Sequence, residues 1–155
     1  YIAFLDCDEF YMSTTMNVKS DLENLGYPIA LGIYWRIYGN PEPFETRQPI
    51  ENYTQWHGDK HIKSIVSPTY VNSFPDPHKA GLINEKKGMY IDENNNQIVS
   101  PIGIHTSNNI WIKHVFTRSR QEFAEKMERG DANTREKNRT WEDFEHYNSL
   151  CINLD

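Results

Sequence analysis

The residues best suited to chemistry come at the start of the chain. Asp6, Asp8 and Glu9 directly follow the apolar run Tyr1-Ile2-Ala3-Phe4-Leu5. Side chains alternate along an extended backbone, so Asp6 and Asp8 can point to one side. In open α/β sheets, ligands bind beyond the carboxyl ends of strands. Two carboxylates at such a point suit a hard divalent cation that also holds substrate phosphates. The bland alternative is a pair of solvated turn carboxylates, and a bare Asp-x-Asp does not decide between them.

The elements that would position this cluster follow from patterning. Tyr1 to Leu5 predicts a buried strand ending at the acidic residues. A short helix is expected from about Val18 to Leu25, closed by Gly26, and a strand from Pro28 to Ile37. Gly39 to Pro49 holds three of the 8 prolines and predicts a loop. Ile62 to Phe74 and Ile110 to Phe116 are strand-like. Met89 to Ile91 and Gln97 to Val99 flank a polar turn as a hairpin would. Two helices end the chain. Ser119 and Glu122 have capping-box spacing, Phe123 and Met127 share a face, and Gly130 marks the stop. Thr140 opens the second helix, with Trp141, Phe144 and Cys151 on one stripe. The expected class is therefore α/β, a mixed sheet with C-terminal helices, in a single domain over residues 1–155.

Composition narrows the function classes. The 16 Lys and Arg against 22 Asp and Glu give a formal net charge of −6, the wrong sign for a nucleic-acid partner. Cys7 and Cys151 are the two cysteines, too few for a disulfide framework. No apolar run reaches the roughly 18 residues that span a bilayer. Tyr1 already lies inside an apolar run, so the chain is expected to be part of a longer protein.

Three enzyme classes place an acidic motif at a strand end. Haloacid-dehalogenase-type phosphatases use the first Asp as nucleophile, but Phe10 stands where their Thr or Val would be. Translesion DNA polymerases are locally similar over Asp6-Cys7-Asp8-Glu9-Phe10-Tyr11, a likeness that fades after Gly32. The third class is the glycosyltransferases of the GT-A type. The chain resembles glycosyltransferase family 92 and its family-2-like bacterial relatives in four ordered blocks. These are Asp6-Cys7-Asp8-Glu9-Phe10, Trp35-Arg36-Ile37-Tyr38-Gly39, Lys63-Ser64-Ile65-Val66-Ser67-Pro68 followed by His78, and His114-Val115-Phe116-Thr117-Arg118-Ser119 followed by Glu122, Phe123, Lys126, Arg129 and Gly130. The departures are Tyr38 for Phe, Arg118 for Lys and Val115 for Tyr.

The resemblance implies a partial GT-A fold whose N-terminal nucleotide-binding half, about 100 residues, would precede Tyr1. It implies sugar transfer from a nucleotide-sugar donor, such as a UDP-sugar, to a glycan or other acceptor, with inversion. Asp8 and His114 would be direct ligands of Mn²⁺ or Mg²⁺, imidazole favouring Mn²⁺. Asp6 would contact ribose or a metal-bound water, and Lys126 and Arg129 the diphosphate. Trp35 and Gly39 would face the acceptor, although a core role for Trp35 is the simpler reading. An inverting transfer needs a base for the acceptor hydroxyl. Glu9 and His78 are candidates, as are Glu45 and Asp76. Lys63 is either a phosphate partner or a solvated strand-edge residue. His57, His61, His105 and His146 read as ordinary. Such enzymes are cytoplasmic in bacteria, with possible peripheral membrane association, or lie in the Golgi lumen in eukaryotes. The competing expectation is a non-catalytic metal or carbohydrate-binding module, and behind it an Asp-dependent phosphoryl-transfer enzyme.

Overall fold

A computed structural model of the chain describes residues 1–104, 108–131 and 136–154. His105 lies outside them. The elements along the chain are β1 (Ile2–Ala3), β2 (Glu9–Ser13), α1 (Val18–Asn24), β3 (Ala30–Gly39), β4 (Gln55–Val66), β5 (Val71–Ser73), β6 (Gly81–Leu82), β7 (Tyr90–Ile91), β8 (Ile110–His114), α2 (Arg120–Arg129), α3 (Trp141–Ser149) and β9 (Asn153–Leu154). The class is mixed α/β, as patterning predicts. A mixed sheet runs in the order β1-β4-β3-β8-β2, with β7 parallel against β3 and β9 antiparallel against β4. β5 and β6 form a separate antiparallel pair. No helix among the described residues is long and apolar enough to cross a membrane.

The chain divides into two compact units. The first comprises Tyr1–Arg36 and Gly58–Lys113. Its centre is β3, buried at every position except half-buried Trp35. A strand buried on both faces reads as a near-continuous apolar run rather than an alternation. Ala30 and Tyr34 point into one cluster with Ile62, Val66, Leu82, Tyr90 and Ile98. Leu31 and Ile33 point into the other, with Leu22, Ile65, Ile110 and Ile112. α1 starts where Asn17 accepts the amides of Lys19 and Ser20 on its side-chain oxygen, at 3.0 and 3.2 Å.

The second unit comprises Ile37–His57 and His114–Asp155. Its helices follow the capping chemistry read from the sequence. Ser119 with Glu122 opens α2, and Thr140 with Asp143 opens α3, each pair closing a capping box. Gly130 ends α2 at φ 76°, a backbone conformation that favours glycine. Phe123 and Phe144 are fully buried, with ring centroids 5.0 Å apart. Asn148 joins helix to strand end: its Oδ1 accepts from the Asn40 amide at 2.9 Å and from the Thr117 hydroxyl at 3.0 Å.

Two expectations are corrected. The buried strand expected over Tyr1 to Leu5 is two residues long, and all of residues 1–5 are exposed. β1 has β4 as its neighbour on one side and stands at the end of the sheet order, so one of its edges is left without a strand. β4 begins at Gln55 rather than Ile62 and ends at Val66, because Pro68 opens a short 3-10 turn before β5. Its first half was hidden by polar residues that carry no periodic apolar signal. The hairpin expected after Met89 forms in short: Ile91 bridges Gln97 antiparallel, and the amides of Ile98 and Asp92 donate to the carbonyls of Tyr90 and Asn96 at 2.9 Å each. Asp92 holds the turn as well, its carboxylate accepting the amides of Asn94 and Asn96 at 2.8 Å each.

Candidate functional site

Lys63 is the hub of the charged groups in the first unit. It sits in the buried half of β4 with its side chain 2% exposed. Its Nζ lies 3.0 Å from Asp6 Oδ2 and 3.1 Å from Glu9 Oε2. Glu9 is the first residue of β2, and its Oε2 also accepts the Asp6 amide at 2.9 Å. A backbone turn from the Glu9 amide to the Asp6 carbonyl, 3.0 Å, closes the loop between them. The Glu9 side chain is wholly enclosed, whereas that of Asp6 is 64% exposed. Asp8, half-buried, lies within the same turn.

A buried cation and carboxylate are tolerated together because each removes the other's uncompensated charge. Burial pushes the Glu9 carboxyl up to about 7, against the opposing pull of the Asp6 amide and Lys63. Its Oε1 has no hydrogen-bond partner among the described residues. Asp6, by contrast, is free on its outer side to meet a ligand.

Aromatic rings flank the hub. Asp59, His61 and Lys63 occupy alternate positions on β4 and so share one face. Trp35, from β3, lies with its ring centroid 5.0 Å from that of His61 and 5.0 Å from that of His78. The two imidazole centroids are 5.1 Å apart, and Lys63 Nζ is 6.0 Å from the Trp35 ring. Burial, then the charge of Lys63, lowers the His78 pKa below its ordinary value. The segment carrying His78 is fixed by Asp76, whose carboxylate accepts the amides of His78 and Lys79 at 2.7 and 2.8 Å. Ser64 Oγ also donates to the His78 carbonyl. On the other side of Lys63 a cleft of about 530 Å³, including its open mouth, is lined by Leu5, Tyr11, Ile33, Ile65 and Ile112.

The residues singled out from sequence separate between the units. Asp6, Glu9, Trp35 and His78 gather around Lys63, and Asp8 is in the adjoining turn. His114, Lys126, Arg129 and Gly39 belong to the second unit. His114 is buried there with its ring edge-on to Phe116 at 5.6 Å. Lys126 Nζ donates to the Phe116 carbonyl at 2.9 Å and stands 4.2 Å over that ring. Arg129 is exposed on the last turn of α2. Gly39 has a packing reason for being glycine, since a Cβ there would run into Asn148 Oδ1. Among the described residues no group of three or more His, Cys, Asp or Glu side chains is placed to hold a metal ion.

Sequence reasoning passed over Asp59 and His61 and left Lys63 undecided. The signal was the alternation Asp59-x-His61-x-Lys63, legible once β4 is extended back to Gln55. Family models, curated proteins and solved structures were compared with the chain, and none matches.

Proposed function

We propose that this chain carries the metal-bearing and acceptor-side part of a GT-A-type glycosyltransferase, moving a sugar from a nucleotide-sugar donor such as a UDP-sugar to a glycan acceptor with inversion. The observation that carries this reading is the Lys63 clamp. It fixes Glu9 and the inner oxygen of Asp6 while leaving the outer face of Asp6 exposed beside Asp8. The donor set fits a hard divalent ion. Asp6 and Asp8 offer oxygens, and Mg²⁺-class ions are commonly held by one or two carboxylates with substrate phosphates completing the shell. A two-carboxylate site of this kind does not need a third protein ligand. When bound, Mn²⁺ or Mg²⁺ would neutralise charge on the leaving diphosphate.

The chain's own residues have distinct parts in this reading. Lys63 and Glu9 position the turn that bears Asp6 and Asp8. Trp35 offers a half-buried indole as a wall for the acceptor. His78, kept neutral near pH 7 by burial and by Lys63, can receive the proton of the acceptor hydroxyl. Lys126 and Arg129, which belong to the second unit, carry the positive charge that the resemblance assigns to a diphosphate, and Gly39 packs close against Asn148 of α3.

Calorimetry on the full-length protein with UDP, with and without Mn²⁺, tests the reading. Mn²⁺-dependent UDP binding that Asp8→Ala abolishes is the expected result. Sugar binding with no nucleotide dependence would favour a carbohydrate-binding module, and donor turnover that survives Asp8→Ala in saturating Mn²⁺ would sink the metal assignment.

A further inference from the structure

The paired imidazoles on the Trp35 side of Lys63 have an arrangement of their own. Nδ1 of His61 lies 2.6 Å from Asp59 Oδ1, and Nδ1 of His78 lies 3.1 Å from the Ile62 carbonyl oxygen. An acceptor on each Nδ1 holds the proton of the neutral ring there, so the lone pair stands on Nε2 in both. Neither Nε2 makes a hydrogen bond to a described residue. Metal-binding histidines show this division: the metal on one ring nitrogen, and a carboxylate or backbone carbonyl accepting from the other. The separation also fits. Two imidazoles sharing a tetrahedral ion at metal–nitrogen distances of about 2.0–2.1 Å have ring centroids about 5 Å apart, against 5.1 Å for this pair.

We propose that His61 and His78 together bind one divalent transition ion of the zinc, nickel or copper class through their Nε2 atoms, with water or a bound ligand completing the shell. Packing of rings accounts for their closeness, but not for both Nδ1 atoms being tied while both Nε2 atoms are left unpaired. The groups facing the pair are Asp59 on the same strand, Asp76 in the segment that carries His78, Lys63 beyond His78, and the uncharged Trp35 ring. Lys63 opposes a cation, but its charge is offset by Asp6 and Glu9 at 3.0 and 3.1 Å, and Asp59 and Asp76 leave the surroundings net negative. Imidazole nitrogens select zinc, nickel or copper, whereas Mg²⁺ prefers carboxylate oxygen, so the two acidic and imidazole sites would sort their ions by chemistry.

The test is calorimetric titration of the whole protein with ZnCl₂ and NiCl₂, with MgCl₂ as the contrast, beside long-range ¹H–¹⁵N spectra of the six histidines. The expected result is one Zn²⁺ per chain, with the Nε2 resonances of His61 and His78 moving and those of the other four staying. The His61→Gln and His78→Gln variants, checked for native circular dichroism, should each lose the transition. Asp59→Asn should weaken it about 10-fold or more, the usual loss when the partner of a ligand histidine is removed. Zn²⁺ binding unchanged in the double Gln variant, resonance shifts on other histidines, or no transition in the wild-type protein would each overturn the site. An ion on His78 Nε2 would occupy the lone pair that the glycosyltransferase reading gives to the acceptor proton, so the two roles exclude one another there; UDP binding, which that reading places on Asp6, Asp8 and phosphate, is read separately from the Zn²⁺ titration.

Discussion

The two units satisfy their buried polar groups by opposite means. In the second, the partners are close in sequence or are neutral. Ser119 pairs with Glu122 three residues on, Thr140 with Asp143, and the Asn148 amide donates to the Phe144 carbonyl at 2.9 Å. In the first, Lys63 reaches Asp6 across 57 residues, and the enclosed Glu9 keeps one oxygen without a described partner. Local capping stabilises a helix wherever the chain places it. A buried cation between two carboxylates stabilises little by itself, and its presence points to a task. The contrast separates a scaffold from a site and can be broken by measurement.

The largest effect should come from Lys63→Met at pH 8. Removing the cation leaves the enclosed Glu9 without its counter-charge, so at pH 8 it either stays charged and unpaired or takes up a proton that the unfolded chain would not hold, a loss of up to about 3–5 kcal/mol as for a broken buried pair, read from urea unfolding. A change no larger than that of a surface substitution would deny the hub. Next is the pH dependence of the same carboxyl. The unfolded Glu9 titrates near its ordinary 4.5, and the folded one near 7. Between these values the folded state holds the extra proton, so this contribution is greatest below about 4.5 and is lost as pH rises to about 7. The size is on the order of 3 kcal/mol, from the linkage of about 1.4 kcal/mol per unit of full shift. Glu9→Gln should flatten that part of the stability–pH curve, and an unchanged curve would place the effect elsewhere.

In the second unit, Gly39→Ala should cost about 1–3 kcal/mol, as overpacking does, because the new Cβ would displace Asn148 Oδ1 from two donors. Ser119→Ala should cost about 1 kcal/mol through the lost cap. Thermal unfolding of both variants would show whether local rules suffice there. The smallest effect is spectroscopic. The C2 proton of His78 should titrate with a midpoint below 6.5 and move up in Lys63→Met, since the cation and burial together depress it. A midpoint indifferent to Lys63 would separate the imidazoles from the charged hub.

The sequence by itself determined the class, the two C-terminal helices with their caps, the β3 strand and the stop at Gly130. Each of these rests on patterns within about ten residues: capping spacing, a continuous apolar run, or a glycine where φ must be positive. It also picked out Asp6, Asp8, Glu9, Trp35 and His78 as residues of interest, by type and order. The tertiary structure alone decided that Lys63 is enclosed rather than solvated, that Asp59 and His61 share its face, and that Gly39 is a packing glycine. Those facts depend on which strands lie side by side. β4 stands next to β3 through pairings between distant segments, and its first seven residues are polar enough to hide their strand period. No local rule reports a contact across 57 residues. That is why the charged pair was legible as two separate carboxylates and a lysine, and only the fold made it a site.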